Sequence, residues 1–183
     1  MDRPAELREV LLAFLRAEAD SPTEAERARA ALDDAGKDEG WLGRDDVPSD
    51  AVFELFMLYR GGESLFDGLN LQALNWREIS LSLKDLQQRV VTCRNTFEAR
   101  YDSRCPIQIA REWDAAGKHN GVMEKVKRGM TLERPILVGD ESRLVILEGH
   151  NRLISYLREP ESAPFPVPAF VGSGTDLSAW GQW

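Results

Sequence analysis

The chain has 183 residues and a mass of 20.6 kDa; 43% of the residues are hydrophobic, 30% are charged, and the formal net charge is −8. That length suits one globular domain, or a domain with a helical extension, and excludes a small disulfide scaffold, a collagen-like chain and a low-complexity chain. The acidity argues against a nucleic-acid coat protein, and no run reaches the roughly 20 apolar residues of a membrane span.

The opening Met-Asp-Arg-Pro-Ala-Glu-Leu lacks the layout of a secretory signal. Two cysteines, Cys93 and Cys105, suit a reducing compartment, so a cytoplasmic protein is expected. Together with His119 and His150 they contain no short ligand pair, so a zinc site is not expected. The charge divides at Trp76. Residues 1–75 hold 8 Lys and Arg against 17 Asp and Glu, a net of −9, whereas residues 76–183 hold 15 against 14, a net of +1. The second part can therefore meet an anion without opposing it through its own field.

Residues 1–75 read as helical. Leu7, Val10, Leu11, Phe14 and Leu15 follow one helix face, with Pro4 as a first-turn proline. Ser21-Pro22-Thr23-Glu24 has the form of a capping box opening a helix over 22–35 that ends near Gly36. Residues 36–48 read as a turn-rich linker, 51–59 as a buried helix, with a short strand the alternative that periodicity leaves open, and 61–70 as a loop anchored by Leu65 and Phe66. Gly61-Gly62 and Gly172-Ser173-Gly174 read as turns.

Residues 76–183 alternate between types. Ile79, Leu81 and Leu83 have the period of a half-buried strand over 76–83. Helices are expected over 84–99, 106–116 and 120–129, the last carrying Lys125, Lys127 and Arg128 near its end. Two short strands, 135–138 and 144–147, flank a turn at 139–142. A helix then runs to about Arg158. Residues 167–171 read as a final strand, and Pro168 assigns it to an edge. Trp41, Trp76, Trp113, Trp180 and Trp183 read as packing residues.

The densest chemistry lies in Glu148-Gly149-His150-Asn151-Arg152, a polar loop between strand and helix. Opening N–H groups of a helix have no partner within it, and its dipole favours an anion there. Gly149 allows close backbone approach, Arg152 offers a planar fork to phosphate oxygens, and His150 can shuttle a proton. Glu148 can act as a base or hold a metal. A structural alternative is that Glu148 simply pairs with Arg152 four residues on.

Residues 134–158, running from Arg-Pro-Ile-Leu-Val through Gly149-His150-Asn151-Arg152 to Arg158, resemble the core of the ParB/sulfiredoxin superfamily. That core has a Pro-Ile-x-Val strand, a hairpin, a second strand and a Gly-x-x-Arg box opening a helix. The family's opening strand and acidic-Leu pair resemble Ile79 to Leu86, with Asp85-Leu86, and the resemblance covers about 76–171. It implies an α+β fold: an acidic helical region, 1–75, then a ParB/sulfiredoxin-like domain, 76–183, with a small mixed sheet and flanking helices. The position matching a sulfiredoxin's catalytic cysteine is His150, which sets sulfinic-acid reduction aside. The box differs from the Gly-Glu-Arg-Arg of partition ParB proteins, and a downstream helix-turn-helix is not expected, so partition clamping is set aside as well. The remaining branches include small ATPases, free-amino-acid kinases and plasmid-borne bacterial effectors with ATPase or nuclease activity, which often carry Gly-His-x-Arg preceded by an acid.

The resemblance thus implies a nucleotide, ATP or another nucleoside triphosphate, bound with magnesium at Gly149, His150, Asn151 and Arg152. Glu148 and His150 would be catalytic in phosphoryl transfer or hydrolysis, with Glu148 also the magnesium ligand. Two alternatives stand beside it. One is a non-catalytic effector that docks a protein partner through 1–75. The other is a metal-dependent nuclease, which would need a basic face built from Arg89, Arg94, Arg100, Arg104 and Arg111. Arg94 and Arg104 are also candidates to border the phosphate loop.

Overall fold

Alternating apolar residues in the second half of the chain and helical stripes in the first build one mixed sheet with helices on both faces. The computed structural model describes all residues except 1, 22–23, 45, 61–62, 94–102, 119–120, 131 and 175–176, and the side chain of residue 39. In chain order the elements are β1 (Arg3–Pro4), α1 (Leu7–Ala19), α2 (Ala25–Asp34), α3 (Ser49–Arg60), β2 (Asn75–Leu81), α4 (Leu83–Gln88), β3 (Val90–Val91), α5 (Pro106–Ala115), α6 (Gly121–Lys127), β4 (Ile136–Gly139), β5 (Leu144–Glu148), α7 (His150–Arg158) and β6 (Val167–Ser173). Short 3-10 turns lie at Glu39–Gly43, Ser64–Phe66 and Leu71–Ala73.

The strands form one six-stranded sheet in the order β1-β2-β6-β4-β5-β3. β2 pairs antiparallel with β6, β6 parallel with β4, β4 antiparallel with β5, and β5 parallel with β3. The pleat sends alternate residues to opposite faces. Trp76, Ile136, Val138, Val145, Leu147 and Phe170 share one core with Val10, Leu11 and Phe14 of α1, Ala28 and Leu32 of α2, Val52, Leu55 and Phe56 of α3, and Leu177 and Trp180. Leu81, Leu137, Leu144, Ile146, Ala169 and Val171 pack on the other face under Leu86 of α4, Val126 of α6, and Leu153 and Tyr156 of α7. Cys93, Ile109, Ala110, Trp113 and Ile154 close a smaller cluster between α5 and α7. The acidic region and the sheet therefore share a core.

Several expectations change. β6 is central: it lies between β2 and β4. Pro168 is tolerated there because Phe170 donates its N–H toward β4, to the Pro135 carbonyl, at 2.9 Å. By alternation the missing Pro168 N–H points the same way, where pairing with β4, which begins at Ile136↔Phe170, has not yet started. Gly172 and Ser173 belong to β6 rather than a turn, and a Cβ on Gly172 would lie 2.9 Å from the Trp76 ring. The glycine makes room for the indole.

Pro4 sits in the edge strand β1, not in α1, which starts at Leu7. α2 starts at Ala25 with Glu24 at its N-cap and no side-chain cap; Pro22 and Thr23 lie outside the described residues. The helix expected over 84–99 is instead the short α4, ending at Gln88, and then β3, while 94–102 lie outside the described residues. α4 is closed at its start by Ser82 and Asp85: the Ser82 hydroxyl accepts from the Asp85 N–H at 3.1 Å, and the Asp85 carboxylate accepts from the Ser82 N–H at 2.9 Å. The linker at 36–48 is also more ordered than expected, with Trp41 and Leu42 of its 3-10 turn buried. Gly61 and Gly62 lie outside the described residues.

Candidate functional site

β5 ends at Glu148, opposite Ile136, where a register shift between Ile136 and Leu137 loosens the pairing. Gly149 then turns the chain with φ 95° and stands as the N-cap of α7. Only glycine takes this conformation without strain. A Cβ here would also lie 2.8 Å from Pro135 Cβ and 3.3 Å from Arg152 Nε. The missing side chain lets Pro135 close over the loop.

Arg152 is 7% exposed. Its Nη1 donates to the Glu133 carbonyl, and its Nη2 forms an ion pair with Glu148 Oε2 across the loop. The guanidinium is thus folded back over its own turn. Burial lowers the Arg152 pKa from its ordinary value and raises that of Tyr156, one turn further along α7. His150 is the first residue of α7, and its Nε2 accepts a long hydrogen bond, 3.5 Å, from the Cys93 N–H just beyond β3. Burial pushes the imidazole down to about 3, so at neutral pH it is uncharged, with Nε2 the acceptor toward Cys93 and the other ring nitrogen left to carry the proton. Asn151 is exposed at the helix start. The five residues of the box are therefore together, with Glu148 and Arg152 facing each other and Asn151 facing solvent.

A cleft of about 130 Å³ is lined by Met130, Glu133, Pro135, Tyr156, Pro164 and Pro168, among others; it shares Glu133 and Pro135 with the surroundings of the box, but no residue of 148–152 lines it. That is well below the roughly 300–1,000 Å³ of sites that enclose a whole small ligand. Glu133, Pro135, Tyr156 and Cys93 are the residues that sequence reasoning missed. Tyr156 carried a signal, its spacing of four from Arg152. Glu133 carried none, because it acts through its backbone carbonyl.

The other candidates lie elsewhere. Arg104 Nε donates to the Thr92 carbonyl at 2.9 Å and its Nη2 to the Gln182 carbonyl, tying the end of β3 to the C-terminal tail. Arg89 pairs with Asp85 at 3.0 Å, and Arg111 is exposed on α5. Arg94 and Arg100 lie outside the described residues. In the acidic region, Tyr59 donates to the buried Glu18, which also takes Arg60 at 2.8 Å, while Arg27 and Arg60 both reach Glu63. This network binds α1 to α3, and Arg27 brings in α2. Among the described residues no group of three His, Cys, Asp or Glu side chains is placed to hold a metal ion, and no helix is long and apolar enough to cross a membrane.

A magnesium site built from protein donors does not fit the loop as it stands: its one carboxylate, Glu148, faces a guanidinium. A phosphoryl group fits the donor set better, since a guanidinium and the opening N–H groups of a helix belong to the same turn. No family model, curated protein or solved structure matches the chain.

Proposed function

We propose that the chain binds a phosphate-bearing ligand, a nucleoside triphosphate foremost, at the turn between β5 and α7. The observation that carries this reading is Arg152: a buried guanidinium fixed by the Glu133 carbonyl at the first turn of a helix opened by a positive-φ glycine. Arg152 holds a phosphoryl oxygen pair, the first N–H groups of α7 take further oxygens, and the nucleoside lies outside the small cleft. Exposed Asn151 stands at the mouth. Neutral His150 keeps the turn against β3. Phosphoryl transfer or hydrolysis, in the manner that the ParB/sulfiredoxin resemblance implies, would then rest on positioning and charge stabilisation. Magnesium would travel on the ligand's phosphates, and no step is derived through it.

The test is calorimetric titration of the full chain with ATP and with CTP, each with magnesium, beside Arg152→Lys. The expected result is saturable binding of one nucleotide, weakened at least about tenfold in the variant, which keeps the charge but loses the fork. Absence of binding to either nucleotide sinks the reading.

A second reading is favoured by the surface of α3, where Asp50 and Glu54 are exposed beside Met57 (45% exposed) and Leu58 (59% exposed). An acidic and apolar face of this kind suits a basic protein partner. Loss of a co-purifying partner on Leu58→Lys, with nucleotide binding intact, would support it. Partner recovery unchanged by that substitution would remove it.

A further inference from the structure

We propose that Glu148 is a resident anion that occupies the phosphoryl position on Arg152 and thereby sets the charge a ligand must bring: the turn admits dianionic phosphoryl groups and rejects carboxylates. This rests on the phosphate reading above.

Arg152 is buried, and a buried guanidinium requires an anionic or hydrogen-bonding partner. Among the described residues Arg152 has two such contacts. The Glu133 carbonyl comes from the segment leading into β4, while Glu148 is the last residue of β5 and less buried than its strand neighbours. The carboxylate sits at a loosened strand end, four residues before Arg152 and joined to it through Gly149. It can therefore leave by rotating its own side chain. The Glu133 carbonyl stays and keeps the guanidinium aimed at the vacated place.

The exchange has a direction set by charge. An incoming carboxylate would replace Glu148 like for like, and as a free ligand it would also lose translational freedom, so it gains nothing. A phosphoryl dianion brings a second charge and a third oxygen. The guanidinium takes two oxygens and the opening N–H groups of α7 take the rest. The released Glu148 then swings toward solvent.

The experiment measures thermal unfolding and calorimetric binding of the full chain, as wild type, Glu148→Gln and Glu148→Asp, without added anion and in acetate, inorganic phosphate and ATP with magnesium. Glu148→Gln removes the resident charge. Its midpoint without added anion should fall below wild type and recover in phosphate, with phosphate and ATP bound about tenfold or more tighter than by wild type. Glu148→Asp, which keeps the charge on a shorter arm, should show a smaller gain and guards against a misfolded glutamine variant. If wild type binds ATP and neither folded variant binds it tighter, the resident-anion proposal is overturned and the nucleotide reading stands. If phosphate rescues Glu148→Gln while no form binds ATP, the proposal stands and the nucleotide reading falls. If neither phosphate nor ATP stabilises any form, both fall. Stabilisation of wild type by acetate equal to that by phosphate also overturns the charge selection.

Discussion

Gly149 and His150 show how tightly single residues constrain the candidate turn. Gly149 combines a positive φ with a neighbour, Pro135, that leaves no room for a Cβ. Gly149→Ala should destabilise the fold by about 2 kcal/mol or more, from backbone strain and the clash together; urea denaturation reads it, and an unchanged midpoint would refute the packing account. His150 makes a pH-dependent contribution. Its folded pKa is depressed to about 3, whereas the unfolded imidazole titrates near its ordinary 6.5. Above the unfolded value both states are neutral, and the contribution is fully present. As pH falls through that value the unfolded chain takes up a proton the folded one refuses, so stability declines by roughly 1.4 kcal/mol per pH unit toward the folded value. Stability curves from pH 7 to pH 4 should lose part of their acid slope in His150→Gln. Glu148 and Arg152 were legible as a pair from their spacing of four. The direction of Arg152 was not, since its other partner is a main-chain carbonyl 19 residues earlier.

At the scale of elements, what the sequence made legible depended on length and on locality. β4 and β5 emerged as short apolar runs on either side of a turn, and α7 as the helix after the polar loop, because each signal is local. β3 did not, because two residues carry no period and its partner β5 is more than 50 residues away. β6 was legible as a strand but misplaced, because the rule that confines proline to edges acts on one N–H, and the direction of that N–H depends on register. Ser82 and Asp85 make α4 a clear test of local design. Ser82→Ala removes the cap and should cost about 1 kcal/mol, measured by chemical denaturation, while leaving the box intact, since the contacts it removes run between Ser82 and Asp85. A loss many times larger would mean that the start of α4 carries more of the fold than its cap. Gly172 was read as a turn because its reason for being glycine is the Trp76 ring, a contact across strands that composition cannot display.

At the scale of the molecule, the division of charge at Trp76 does not coincide with a division of the core. Phe170, Val138, Val145 and Leu147 of the sheet meet Phe14, Val52 and Phe56 of the acidic region in one cluster. A fragment of 76–183 would expose that sheet face to water, and an apolar area of this kind drives association. The fragment should therefore elute as aggregates and bind a hydrophobic dye, where the full chain does neither. A monomeric, cooperatively folding fragment would contradict the shared core. The acidic region's role, whatever partner it has, includes covering half of the sheet.

The central place of β6 has a consequence for the order of events at the ribosome. β2 and β4 both hydrogen-bond to β6, and the helices over one sheet face close on Phe170 within it. β2 is complete about 90 residues before β6 is made, a delay on the order of 10 s at ordinary synthesis speeds. Through that interval the nascent helices of the first 75 residues have amphipathic faces and no sheet to rest on. The net charge of −9 on residues 1–75 opposes contact between neighbouring unfinished chains during that interval.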